Sequence, residues 1–266
     1  LVRYTLWCKI SLTKRKINLD KNAKTFNLES EKYFLNRPRY PLELYSFINK
    51  HCNGNKLAWD CACGNGQVAI DLASYFEKIE ASDINENQII NSFKHEKINY
   101  SIQNSENTYF PNNYFDLICA AQCLHWFNFQ IYFNEVKRTL KKNGLFVTWG
   151  YSFFKIDNNI DNIIDSTLFK IIDPFWSDKN RILHKQYSGI EFPFTKINIP
   201  EVEMTLSWDL NQLLSYLQTW SAVKLYIDKY SDHLLENLRQ LLSGHWPENS
   251  KKKIKMDFFC YFGYNE

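Results

Sequence analysis

The sequence predicts an α/β protein built on a doubly wound, mostly parallel sheet with helices on both faces. Three observations carry this. Short apolar runs alternate with stretches of helical spacing from residue 41 to residue 151. A Gly-containing turn inside "LAWDCACGNGQVAIDLA" (57–73) joins the first apolar run directly to a helix. The 266 residues are 45% hydrophobic and 17% aromatic, enough to cover such a sheet on both faces.

Taken in order, residues 1–25 are polar, rich in Lys and Asn, and read as a peripheral segment. A helix is expected over 41–51, with Pro41 in its first turn. A strand over 56–60 leads to a helix over 66–76, and a strand over 78–82 ends on Asp83. A helix over 86–95 and a strand over 98–103 follow. The turn "PNN" precedes the buried strand "FDLICAAQC" (115–123), and a helix over 129–141 closes on "KKNG", with Gly144 as its stop signal. "LFVTWGY" is the fifth strand. Right-handed crossovers make these five strands parallel.

Beyond Tyr151 the pattern changes. Helical stretches at 158–173 and 209–229 flank an aromatic-rich loop, "FPFTKINIPEVEMTLSW". A helix over 232–243 then leads to a last strand, "MDFFCYFGY". Residues 152–195 exceed what a simple connection needs and read as a cap on the substrate side of a single domain spanning 26–266.

Composition excludes several classes. A net charge of +3 is too weak to imply nucleic acid or an anionic membrane surface. The seven cysteines follow no framework spacing and lack partner histidines, so neither a disulfide scaffold nor a metal site is expected. No apolar run approaches a membrane span. A cytoplasmic protein, monomeric or homodimeric, is the expectation.

In open α/β sheets ligands bind beyond the carboxyl ends of the strands where the strand order reverses, here after the first strand. Gly64 and Gly66 allow a sharp turn and close backbone approach, and Asp83, seventeen residues beyond Gly66, stands where a carboxylate accepts ribose hydroxyls. "GNGQVA" satisfies the dinucleotide fingerprint, so an NAD-dependent oxidoreductase is one alternative. However, Asp60, Cys61, Ala62 and Cys63 separate the strand from the first glycine, and Asp60 would repel a pyrophosphate. An acid in front of the turn suits a cationic ligand, and S-adenosylmethionine (SAM) carries both a sulfonium and an α-ammonium.

The ordered motifs "WDCACGNGQVAIDLA", "IEASDINENQI", "NSENTYFPNNYFDLICAAQCLHWF" and "VKRTLKKNGLFVTWGY" resemble those of class I SAM-dependent methyltransferases. "RPRYP" (37–41), "LHWF" and "LLSYLQTWSAVKLY" are similar to the trans-aconitate methyltransferase-like, type 11 group. The resemblance covers about residues 30–264. It implies a Rossmann-like sheet of seven strands with the last antiparallel, SAM as cofactor and S-adenosyl-L-homocysteine as product. It further implies that Asp60, Ala62, Gly64 and Gly66 lie under the methionyl group and that Asp83 holds the ribose. Ile84 would lie against the adenine, Ser105 and Glu106 at its edge, and Ala121 and Gln122 near the sulfonium. Ala62 departs from the family's usual Gly. Because glycine is kept at positions 64 and 66, Ala62 is expected at negative φ, with weakened rather than abolished SAM binding. A non-catalytic SAM-binding protein is the alternative that Ala62 motivates.

Methyl transfer from a sulfonium is an in-line displacement that positioning largely supplies. A carboxylate acceptor needs no base, whereas a hydroxyl acceptor needs one, and His125, just past the fourth strand, is the candidate. Trp126 could stack in the site. Within the family-like segment before the first helix, Arg37, Arg39 and Tyr40 are placed to close over it, with an Arg pairing a substrate carboxylate. Tyr187, Trp220 and Tyr226 are candidate wall residues from the cap. "AAQCLHWF" lacks the Asn/Asp-Pro-Pro-aromatic tetrapeptide with which base-methylating enzymes stack a flipped base. The expectation is O-methylation of a small carboxylic acid, with no nucleic-acid partner.

Overall fold

The computed structural model describes residues 37–230 and 233–266. The peripheral segment expected at 1–25 lies outside the described residues. Among the described residues, eight strands form a single sheet in the order β3-β2-β1-β4-β5-β8-β6, with β7 also paired to β8. β1 (Leu57–Cys61), β2 (Lys78–Asp83), β3 (Ile98–Ile102), β4 (Phe115–Ala121) and β5 (Leu140–Lys155) are parallel. Every residue of β1 is buried, and so are six of the seven in β4, the signature of a parallel strand covered on both faces. The strand order reverses between β1 and β4, and the crevice at their carboxyl ends is therefore the expected ligand position.

The covering helices divide between the faces. α1 (Leu42–His51) and α2 (Gln67–Leu72) pack on the face bearing Ala58, Leu117, Val147 and Trp149. α3 (Glu86–Ile90) follows β2. α4 (Phe129–Thr139) packs on the opposite face, against Trp59, Ile118 and Phe146. The Asn128 side chain caps α4 by accepting from Ile131 N at 3.3 Å.

The resemblance's seven strands, last antiparallel, are present with one modification. The sixth is split into β6 (Thr195–Ile197) and β7 (Met204–Trp208), which lie antiparallel to the two ends of β8 (Lys252–Tyr264). Both fall in the aromatic-rich segment read as a loop, where period-2 alternation is too short to stand out. α4 ends at Thr139, and residues 140–144 enter β5 with Asn143 at φ +58, so Gly144 is not a helix stop. A Cβ there would lie 2.8 Å from both Leu140 Cδ1 and Lys141 O; glycine is required by packing.

The far end of β5 carries the helical layer. Tyr151 and Phe154 pack with Ile160, Ile164, Leu168, Leu217, Trp220, Leu238 and Met256 in one cluster. This joins α5 (Asn158–Ile164) and its continuation through Phe175 to α7 (Leu210–Gln218), α8 (Ser221–Tyr230) and α9 (Leu234–Ser243). α6 (Asp178–His184) bridges that layer to the sheet. The insertion expected at 152–195 is thus only the first half of the helical layer; the second half follows β7. The helix expected over 209–229 breaks between Gln218 and Ser221.

Candidate active site

Three left-handed residues within five positions shape the turn after β1: Ala62 at φ +49, Gly64 at +56 and Gly66 at +88. Cys63 N donates to Ser82 O at 2.9 Å, and Gly66 N to Cys63 O at 3.0 Å, tying the loop to the end of β2. The negative φ expected at Ala62 is overturned. The backbone there needs the conformation glycine provides, and this chain holds an alanine in it at a cost of about 1–2 kcal/mol.

Two buried acids flank the turn. Asp60, 1% exposed, accepts from Ala69 N of α2 at 2.9 Å. Burial, then the nearby Asp83 and Asp71 charges, outweigh that bond and push the Asp60 carboxyl up to about 8. Asp83 accepts from Gly64 N and from Asn85 N, each at 2.8 Å, and burial raises its carboxyl as well. Each Asp83 oxygen keeps a lone pair for a further donor. Among the described residues no basic side chain pairs with Asp60 or Asp83. A Cβ on Gly64 would meet only Gln88 Oε1, at 3.8 Å, leaving open space above the turn. A buried acid without a basic partner beside an open glycine turn is ionised favourably by a ligand with cationic sulfonium and ammonium groups, whereas a pyrophosphate would hold it protonated.

Around this corner Ile84 is 42% exposed, an apolar face beside Asp83, and Ser105 is buried. Glu106 accepts from the backbone amide of Asn128 and so anchors the loop to the start of α4. Ala121 pairs with Trp149 at the end of β4. Gln122 follows at φ +54, with its side-chain amide donating to Tyr151 O and accepting from Tyr151 N, both at 2.8 Å.

Gln122 also opens onto a cavity of ≈ 60 Å³ between the ends of β4 and β5 and the helical layer. Among its lining residues are four of the sequence candidates, Arg37, His125, Trp126 and Trp220. The Arg37 guanidinium lies 5.6 Å from the centre of the Tyr216 ring and donates to Tyr151 Oη at 3.4 Å. His125 is 2% exposed; burial first, then the His184, Lys179 and Arg37 charges, lower it to about 3. His184, also in the wall, is lowered to about 4 by burial and Arg181.

Other candidates lie elsewhere. Tyr40 packs edge-on to Trp149 at 5.5 Å, outside the wall. Tyr187 is buried behind His125, with its hydroxyl 3.1 Å from His125 Nδ1. Tyr226 packs on Phe175, and exposed Arg39 pairs with Asp71 at 3.5 Å. The sequence reading missed Tyr151, Phe153, Trp176, His184 and Tyr216 of the wall. Tyr216 precedes Trp220 by four residues, a same-face spacing that could have found it. No described helix is long and apolar enough to cross a membrane, and no metal-binding cluster of His, Cys, Asp and Glu occurs among the described residues.

The family model described as "Methyltransferase domain" matches residues 59–148, the span from β1 into β5 that builds the turn and its acids. A Dictyostelium discoideum protein bearing a methyltransferase name is 30% identical over 242 residues, covering 89% of this chain and 92% of its own. The methyltransferase pgmE of Aspergillus terreus is 26% identical over 193 residues, 60% of this chain and 58% of its own. A solved structure from Anaeromyxobacter dehalogenans, named a type II methyltransferase, superposes with a TM-score of 0.80 at 26% identity, covering 86% of this chain and 98% of that one. These likenesses set aside the NAD-dependent oxidoreductase alternative, and the chain belongs to the class I SAM-dependent methyltransferases, in the type 11 group.

Proposed function

We propose that the protein methylates a carboxylate oxygen of a small organic acid, with SAM as donor. One observation carries this reading: the cavity combines a guanidinium with imidazoles that are too weak as bases to take a hydroxyl proton. An acid is already ionised at neutral pH and needs no base. Arg37 pairs with it and fixes which oxygen faces the cofactor side, while Trp126, Tyr216 and Trp220 exclude water.

SAM supplies, when bound, an electrophilic methyl group on a sulfonium. Asp60, Ala62, Gly64 and Gly66 hold the methionyl portion, Asp83 accepts from the ribose, Ile84 covers the adenine and Ser105 borders it. Ala121 and Gln122 form the boundary between cofactor and acceptor; Gln122 lines the cavity from a side chain fixed at both ends.

The test is transfer from radiolabelled SAM to a panel of small carboxylic acids and matched phenols. Label recovered as base-labile methyl esters is expected, with none on the phenols. Methylation of phenols alone would overturn the acid assignment. SAM binding by calorimetry without transfer to any acceptor would leave the non-catalytic SAM-binding alternative in place.

A further inference from the structure

Tyr187 does not line the cavity, yet strained backbone brings it against His125, which does. Gln186 and Tyr187 take positive φ, +53 and +58, in succession after α6. Such backbone persists in non-glycine residues only where surrounding structure holds it, and it gathers at functional positions. The result is a side chain turned back beneath the helical turn Leu124–Trp126, packed edge-on to Phe259 at 5.0 Å, with its hydroxyl 3.1 Å from His125 Nδ1. A phenol is a stronger donor than a neutral imidazole N–H and a weaker acceptor than an imidazole nitrogen, so the proton in this contact is the phenol's and Nδ1 accepts it.

We propose that Tyr187 is a positioning residue that fixes His125 as the Nε2–H tautomer, so that His125 offers a hydrogen-bond donor, not a base, to the acceptor's carboxylate. This deepens the proposed function and rests on it for the identity of the acceptor. His125 lines the cavity and Tyr187 does not, so the ring edge away from Nδ1 is the one that meets the acceptor. Burial keeps the imidazole neutral, with His184, Lys179 and Arg37 the charged or titratable groups bearing on it. In this tautomer Nε2 has no lone pair for a hydroxyl proton. An ionised acid instead finds two donors, Arg37 and His125, around one carboxylate.

The tautomer is read directly by long-range ¹H–¹⁵N correlation on the ¹⁵N-histidine-labelled protein without acceptor. An unprotonated Nδ1 and a protonated Nε2 are expected for His125; a protonated Nδ1 in the wild type overturns the inference. Tyr187→Phe keeps the ring and removes the hydroxyl, and should move the His125 resonances toward a tautomer mixture at unchanged melting temperature. An unchanged tautomer in that variant overturns the role of Tyr187. On the acids of the panel, His125→Ala should lose about a hundredfold or more in kcat, as loss of a fixed donor does, whereas His125→Gln, whose amide still donates, should lose only about tenfold. A folded His125→Gln as inactive as His125→Ala would mark a base and overturn the inference. If the wild type methylates no acid, the proposed function fails while the tautomer measurement still decides this one.

Discussion

Gly66→Ala tests the geometry of the cofactor turn, because two independent penalties meet there. The backbone sits at φ +88, which a residue with a Cβ occupies at a cost of about 1–2 kcal/mol. The new Cβ would also stand 2.1 Å from Tyr100 Oη and 2.9 Å from its Cε1 and Cζ. Relieving such overlap by shifting the ring costs about 1–3 kcal/mol. Together these give a loss of about 2–5 kcal/mol, a fall in melting temperature on the order of 10 °C for a chain of this size. Tyr100→Phe separates the two. The Tyr100 hydroxyl is buried without a hydrogen-bond partner among the described residues, so removing it should be neutral or slightly stabilising. In the Tyr100→Phe background the closest overlap is gone but the φ penalty remains, and Gly66→Ala should cost about 1–2 kcal/mol less. Urea unfolding of the four proteins in a double-mutant cycle measures this coupling. Zero coupling would refute the claim that Tyr100 makes glycine obligatory, and an unchanged stability in Gly66→Ala would refute both penalties.

Ala62→Gly should raise the melting temperature of the cofactor-free protein, since relief of about 1–2 kcal/mol of left-handed strain exceeds the roughly 0.4–1 kcal/mol of added unfolded-chain entropy. A lower melting temperature would contradict the positive φ. Asp60, raised to about 8 when folded against an unfolded value of 3.8, contributes stability that is fully present below pH 4 and is lost as pH rises through 8. Melting of the cofactor-free wild type from pH 4 to 9 should therefore fall more steeply than that of Asp60→Asn; parallel curves would show that Asp60 titrates normally. Asp83→Ala should weaken SAM binding by about 1.5–3 kcal/mol and also lower the melting temperature, because Gly64 N and Asn85 N lose their acceptor. Asp83→Asn, which keeps one acceptor oxygen, should lose affinity with a smaller melting change, and calorimetry with unaltered affinity in both would leave Asp83 a purely structural acceptor.

The sequence by itself determined whatever depends on neighbouring residues and regular periods. The alternation that builds β1 to β5, the acid-led glycine turn and the spacing from Gly66 to Asp83 are local, and each is where the sequence placed it. So is His125, carried just past β4. The sign of φ at Ala62 was not legible, because residue identity records what a backbone tolerates and the anchoring of Cys63 and Gly64 on β2 records what it must adopt. The sixth strand escaped notice because β6 and β7 are each too short to show a period and exist only by pairing with opposite ends of β8. Tertiary structure alone decided the cavity wall. Arg37, His125, Trp176 and Tyr216 come from four segments that no sequence spacing relates, brought together as the helical layer buries its apolar face on the extension of β5 and β8. The same packing sorted the aromatic candidates: Trp126 and Trp220 face the cavity, Tyr40 and Tyr226 serve the core, and Tyr187 stands behind His125. Burial is a property of all the elements that converge on a side chain, and a one-dimensional pattern records only the element that carries it.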